Sequence, residues 1–276
     1  MGRKIVRRRV IRATLDGTRR PREEKLAGEE PLEIRFGHQS FTTSMRTPGD
    51  DFDLVAGFLL AEGILCRPEH LVAMRYCLGT DEDGNQTYNV IEVQLGFGAV
   101  PPDLSTARNV VTSSACGICG TNSIDEVRKK SFFTLEPDAG QVELPVLLSM
   151  PEILRESQKL FSQTGGVHAA GLFSTAGELL ILREDVGRHN AVDKVIGAAL
   201  REGKMPLSDT VLQVSGRASF ELVQKAAMAG IPVLTAVSAP SSLAVDLAQD
   251  TGLTLAAFSR GQSVNLYTHA HRVVNA

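Results

Sequence analysis

"TVLQVSGRASFELVQKAAMAGIPVLTAVSAPSSLAVDLAQDTGLTLAAFSR", running from Thr210 to Arg260, decides the fold. Three runs in it, "TVLQVS", "PVLTAVS" and "LTLAAFSR", are apolar at successive positions, the pattern of strands buried on both faces. Between them lie "ASFELVQKAAMAG" and "SSLAVDLAQDTG", whose apolar residues recur at helical spacing. Strand and helix alternate, which predicts an α/β domain built on a parallel sheet with helices on both faces.

Upstream, "AAGLFSTAGELLILRED" reads as a hairpin turning at Ala176-Gly177, and "GRHNAVDKVIGAALREG" as a helix with Val192, Val195, Ile196, Ala199 and Leu200 on one face. "SMPEILRESQKLFSQTGG" reads as another helix, with Pro151 in its first turn and Gly165 at its end. "GFGAVPPDLSTARN" is rich in Gly and Pro and divides the chain into residues 1–107 and 108–276. The first part mixes strands with one helix. "KIVRRRVIRATL" reads as an edge strand and "LEIRFGHQSFTTSMRT" as two strands turning at Gly37-His38. "PGDDFDLVAGFLLAEGI" reads as a helix capped by Asp50 or Asp51 and ended by Gly63. "LVAMRYCL" and "TYNVIEVQL" are strands turning at Asp83-Gly84-Asn85.

The 276 residues suffice for one large or two modest domains, and 43% hydrophobic with 22% charged residues is ordinary for a globular protein. No apolar run is long enough to span a bilayer, and the basic start "MGRKIVRRRVIRATL" lacks the apolar core of a secretory signal. A cytoplasmic protein without a membrane partner is the expectation. A net charge of −3 speaks against nucleic-acid binding by the chain as a whole. Arg3, Lys4, Arg7, Arg8, Arg9, Arg12, Arg19, Arg20 and Arg22 nevertheless cluster early, either as a solvated strand and loop or as a docking surface for an acidic partner. In a reducing compartment the four cysteines are not expected to form structural disulfides. Cys66 and Cys77 sit among apolar neighbours and read as small buried hydrophobes.

Parallel sheets bind ligands outside the carboxyl ends of their strands. There the sequence places Ser215, Gly216 and Arg217, then Ser238, Ala239, Ser241 and Ser242, then Phe258, Ser259, Arg260, Gly261, Gln262, Ser263 and Asn265. Helix N-termini and glycine backbones suit phosphate, and Arg217 and Arg260 can bind it bidentately. Each loop alone could be a helix cap. Three at adjacent strand ends point to a nucleotide-containing ligand. "QTGGVHAAG", with His168, and "REDVGRHNAVDK", with Asp185, Arg188, His189 and Asp193, are equally dense in polar groups. The second segment is either a capping cluster with surface ion pairs or part of a site.

Cys116 and Cys119 form a C-x-x-C pair in "VVTSSACGICGTNSIDEV". Structural zinc needs about four ligands, often from two such pairs, and only one pair is present. A zinc nucleobase deaminase carries H-x-E before its cysteines. Here "VHAA" follows them and places Ala170 where the glutamate belongs. A thioredoxin-like pair lacks its fold context. Sulfur transfer through a low-pKa thiolate stands about level with the redox reading on the residues alone.

"SSACGICG", "GGVHAAGLF", "REDVGRHNAVDKVIG", "SGRASFELVQKA", "SAPSSLAV" and "FSRGQSVNLYTH" together resemble the FdhD family of formate dehydrogenase accessory sulfurtransferases. The resemblance runs from about residue 30 to the end. It implies a three-layer, cytidine-deaminase-like α/β domain over 108–276 behind a smaller α+β domain over 1–107. It implies a cytoplasmic homodimer that takes persulfide sulfur from a cysteine desulfurase. The sulfur then passes to the molybdenum (or tungsten) bis-molybdopterin guanine dinucleotide cofactor of formate dehydrogenase, the client. Cys116 matches the family's persulfide cysteine and Cys119 its partner. Phe258, Ser259, Arg260, Gly261, Gln262 and Ser263 match the stretch that binds the cofactor, a site open to GDP-like ligands. Ser215, Gly216, Arg217, Ser238, His168 and His189 are then expected in the same pocket. The alternative is a cofactor-binding chaperone in which the cysteines are dispensable.

Overall fold

A computed structural model describes residues 2–77, 79, 87–100, 102, 111–112 and 131–275. The first part holds strands β1 (Ile5–Ala13), β2 (Arg19–Ala27), β3 (Glu30–Phe36) and β4 (Gln39–Arg46), helix α1 (Asp51–Ala61), then β5 (Leu71–Tyr76), β6 (Val90–Leu95) and β7 (Val111–Thr112). After them come β8 (Val142–Glu143), helices α2 (Leu144–Ser157) and α3 (Lys159–Thr164), the strands β9 (His168–Ser174) and β10 (Leu179–Asp185), and helix α4 (Arg188–Arg201). The deciding stretch forms β11 (Thr210–Val214), α5 (Phe220–Met228), β12 (Val233–Ala236), α6 (Ser242–Thr251) and β13 (Thr254–Arg260), followed by β14 (Ser263–Leu266) and β15 (Val273–Val274). The expected turn at Asp83-Gly84-Asn85 lies outside the described residues.

The larger sheet runs β10-β9-β11-β12-β13-β14. Its centre, β11-β12-β13, is parallel as the strand–helix alternation predicts, but β9 and β14 run antiparallel to it, while β10, antiparallel to β9, runs with the centre, so the sheet is mixed. Two tight hairpins cause this, turning at Gly177 (φ 88°) and Gly261 (φ 61°), where only glycine takes positive φ without strain. Successive residues point to opposite faces. Leu212, Val214, Leu234, Ala236 and Leu255 join the cluster beneath α1, α4, α5 and α6. Val211, Val233 and Ala256 join Leu147, Met150 and Leu154 of α2 on the other face.

A second sheet runs β5-β6-β3-β4-β7, and its Leu32, Ile34, Ile91 and Val93 belong to the same buried cluster as α1, α4 and the first face of the large sheet. One core therefore links both parts of the chain. Helices α1 and α4 cross at close range through Gly57 and Gly197: a Cβ on Gly57 would lie 1.9 Å from the Asp193 carbonyl oxygen, and one on Gly197 2.6 Å from the Gly57 nitrogen. With α1 on one side and the sheet on the other, His189–Leu200 of α4 are buried all round, not along the single predicted stripe.

One local expectation is corrected and two are refined. Pro145, not Pro151, takes the first-turn position of α2, and Pro151 lies inside the helix. The buried Leu147, Met150 and Leu154 stripe outweighs the one backbone bond that an internal proline removes. Asp50 occupies the N-cap position of α1, one of the two positions expected, but with a left-handed backbone (φ 56°) and no side-chain cap bond, while Asp51 is held by Arg46. The basic β1 pairs with β2 alone, so it is an edge strand as expected, but of a separate two-stranded ribbon. Among the described residues no helix is long and apolar enough to cross a membrane.

Candidate functional site

The three strand-end loops lie side by side because their backbones bond to one another. Val237 N–H donates to the Val214 carbonyl (3.2 Å), Ala218 N–H to Ala239 (3.2 Å), and Ser241 N–H to Ala218 (3.0 Å). Phe258 N–H donates to the Ser238 carbonyl (3.3 Å), which ties the third loop to the second. Ser215 fastens the first loop to β9: its N–H donates to the Ala169 carbonyl (3.0 Å) and its Oγ accepts from the Ala169 N–H (2.9 Å). Ser241 accepts from the Ala244 N–H and caps α6, so this serine is a helix cap.

A cavity of about 700 Å³ opens at these strand ends. His168, Ser215, Arg260 and Gly261 line it, together with Gly165, Gly166 and Val167 from the turn after α3. A Cβ on Gly216 would stand 3.4 Å from His168 Nδ1, which places that backbone close behind the imidazole. Burial pushes the His168 pKa below its usual 6.5, and the Arg188 charge pushes it the same way. The opposite wall is helical: Leu148, Pro151, Glu152, Leu154, Arg155, Gln158 and Phe161. Glu152, Arg155, Gln158 and Phe161 are not among the expected site residues, because their segment reads from the sequence only as a helix with Pro151 in its first turn and Gly165 at its end.

The remaining expected residues are more scattered. Arg217, Gln262 and Ser263 are exposed and do not line the cavity. Phe258 is half-buried with φ 54°, a strained backbone for an aromatic residue, and Arg260 lies over its ring at 5.9 Å. Ser259 is fully buried, and its Oγ has no hydrogen-bond partner among the described residues. His189 does not line the cavity; its Nε2 is 2.8 Å from Glu221 Oε2 and 3.2 Å from Ser219 Oγ. Cys116 and Cys119 lie outside the described residues.

The "DVGRHN" segment is largely structural. Asp185 is fully buried, accepts from the Thr47 and Gly187 N–H groups and from Asn190 Nδ2, and pairs with Lys194 at 2.7 Å. Lys194 also donates to the Thr47 carbonyl (2.8 Å), and Asn190 Nδ2 to that of Met45 (2.7 Å). Asp193 pairs with Lys225 at 2.7 Å. These pairs are buried, unlike the surface pairs considered from the sequence. Asp185, Lys194 and Asn190 clamp the end of β4, whose Thr43 and Ser44 pair with Val111 and Thr112 of β7. The chain therefore enters the cysteine segment from a strand anchored beside Asn190, since Ser44 Oγ lies 3.4 Å from Asn190 Oδ1. Cys66 is buried as expected, at 3.7 Å from His70 Nδ1, whereas Cys77 is only half-buried.

The chain is 54% identical over 274 residues to the sulfur carrier protein FdhD of Streptomyces avermitilis, covering 99% of this chain and 97% of that protein. It is 56% identical over 272 residues to the protein of the same name from Nocardia farcinica, covering 99% and 96%. Its fold matches the crystal structure of a candidate formate dehydrogenase accessory protein from Desulfotalea psychrophila, with a TM-score of 0.75 and 26% identity over 99% of this chain and 100% of that one. The sequence profile of the FdhD/NarQ family matches residues 27–274, and this chain belongs to that family.

Proposed function

We propose that this protein is a sulfurtransferase that carries persulfide sulfur from a cysteine desulfurase to the molybdenum or tungsten bis-molybdopterin guanine dinucleotide cofactor of formate dehydrogenase. The observation that carries this reading is the cavity. It gathers His168, Ser215, Arg260 and Gly261 at the carboxyl ends of the strands, in a chain of the FdhD/NarQ family. A volume of about 700 Å³ lies within the usual range of ligand pockets. The cofactor is cargo here, with its nucleotide phosphates on the Arg260 and Gly261 side. Ser238 and Gly216 shape the adjoining backbone, and Phe258, Ser259, Arg217, Gln262, Ser263 and His189 surround the site at greater remove. GDP-like ligands would occupy the same place.

The Cys116 thiolate attacks the outer sulfur of the donor's persulfide. The donor S–S bond breaks, the donor thiolate leaves, and Cys116 holds the sulfur as its own persulfide. Attack by the Cys119 thiolate on Cys116 Sγ then releases hydrosulfide and leaves a Cys116–Cys119 disulfide, whose two thiols supply the two electrons.

Residues 108–276 read as a three-layer, cytidine-deaminase-like domain and residues 1–107 as a smaller α+β domain, supported by helices on both faces of the six-stranded sheet. Ala170 is fully buried in the core, which leaves no place for the acid–base glutamate of a deaminase. A cytoplasmic homodimer completes the proposal. Intact-protein mass spectrometry after incubation with a cysteine desulfurase and cysteine tests it. A reductant-sensitive gain of one sulfur, lost in Cys116→Ala, is expected. No gain with an active desulfurase would replace the reading by that of a cofactor-binding chaperone.

A further inference from the structure

The helical wall of the cavity carries polar groups that the phosphate side does not explain. Glu152 and Arg155 are exposed into the cavity region and form no ion pair with each other or with another described residue. Gln158 is 3% exposed, and its Nε2 has no hydrogen-bond partner among the described residues. A buried amide donor without a partner is costly unless a ligand supplies the acceptor. Leu154 and Phe161 give the same wall apolar surface, and Arg155 lies over the Phe161 ring at 4.4 Å. Apolar faces with a carboxylate and an amide at the rim suit a flat heterocycle read along one edge.

We propose that Glu152 and Gln158 form a base-reading subsite that selects guanine over adenine. Glu152, which only accepts hydrogen bonds when ionised, matches two adjacent donors. Guanine offers such a pair in N1–H and the N2 amino group, next to the O6 acceptor that the Gln158 amide can serve. Adenine presents the N1 lone pair at the same edge, so the carboxylate would face an acceptor and lose both bonds. A site built on hydrogen bonds rejects an analogue that lacks them far more strongly than an apolar pocket can. This deepens the nucleotide-cargo reading above and rests on it. The phosphates would lie towards Arg260 and Gly261, across the cavity from the helical wall.

Isothermal titration of the full-length protein with GDP, IDP and ADP tests the subsite. GDP should bind at least about 100-fold more tightly than ADP. IDP, lacking the N2 amino group, should bind about 10-fold more weakly than GDP, the value of one hydrogen bond to a charged group. Glu152→Gln should weaken GDP about 10- to 100-fold, leave ADP where it was, and erase the difference between GDP and IDP. Arg260→Ala should weaken GDP and ADP alike. Glu152 is at the surface, so its variant is expected to melt with the wild type, whereas Gln158→Leu needs its melting curve recorded alongside. Equal binding of GDP and ADP, a guanine preference that survives Glu152→Gln, or no nucleotide binding at all would overturn the subsite. Sulfur loading of wild-type Cys116, read by mass, separates that failure from a failure of the sulfur-carrier reading.

Discussion

Asp185 and Lys194 form an ion pair of 2.7 Å with both side chains buried, and each also bonds the backbone of Thr47. The pair thus holds the end of β4 from two sides, and β4 carries the strand that leads into the cysteine segment. Its chemistry is that of a clamp, since every oxygen of Asp185 already has protein donors.

Removing one member should leave the other as an uncompensated buried charge. Asp185→Ala or Lys194→Ala is expected to cost about 3–5 kcal/mol. Asp185→Ala combined with Lys194→Ala should cost clearly less than the two single losses added. Urea unfolding of the four proteins checks this through a double-mutant cycle, and an additive double variant would mean that the pair is not coupled.

Gly57 and Gly197 give a second stability prediction. A Cβ at either position meets helix backbone, with Asp193 O 1.9 Å from the one at Gly57, so no side chain can rotate away to make room. Alanine at either position should push α1 and α4 apart and cost about 3 kcal/mol, the upper end of overpacking penalties. Gly203, which has open space around its Cβ position but φ 72°, serves as a contrast. Alanine there should cost only about 1–2 kcal/mol, the left-handed backbone strain. Thermal melts of the three variants rank them.

His168 should be neutral at pH 7, because burial and the nearby Arg188 charge both lower its pKa from 6.5. The unfolded chain then binds a proton that the folded one refuses, in the window between 6.5 and the lower folded value. Stability should be full above pH 6.5 and fall as pH drops through that window. His168→Asn should flatten this part of the pH–stability profile. An NMR titration should place the wild-type His168 midpoint below 6.5 and move it upward in Arg188→Gln.

The parallel centre of the large sheet was legible because β11, β12 and β13 are apolar on both faces, and a both-face strand has no reading other than burial beneath helices on two sides. The antiparallel flanks were not, since a hairpin such as the one at Gly261 resembles any loop after a strand until its partner is placed. Ser215, Arg260 and His168 could be anticipated because strand ends and glycine-rich turns have a known relation to ligand sites. Glu152, Arg155 and Gln158 could not, because polar residues on the outer side of an amphipathic helix look the same whether they meet water or a cavity. Asp185 showed the converse. Its surroundings in sequence are as polar as any site, and only the fold reveals that Thr47 and Lys194 use up its carboxylate.

Phe258 separates strain from packing at the strand-end loop. Its φ of 54° lies where a side chain other than that of glycine costs about 1–2 kcal/mol, while its ring is half-buried against the core beside Arg260. A fully buried phenylalanine in relaxed backbone loses about 3–5 kcal/mol on truncation. Phe258→Gly releases the backbone strain as it removes the ring, so the two effects oppose each other, and the net change should stay within about 1 kcal/mol. Phe258→Ala keeps most of the strain and loses the ring, and should therefore be the less stable variant. If the ring also steadies Arg260 at the cavity, both variants should bind GDP about equally more weakly than wild type, despite their different stabilities. Melting curves and GDP titrations run on the same two proteins decide it. A GDP affinity that follows stability, with Phe258→Gly close to wild type, would show that the ring acts on the fold and not on the ligand.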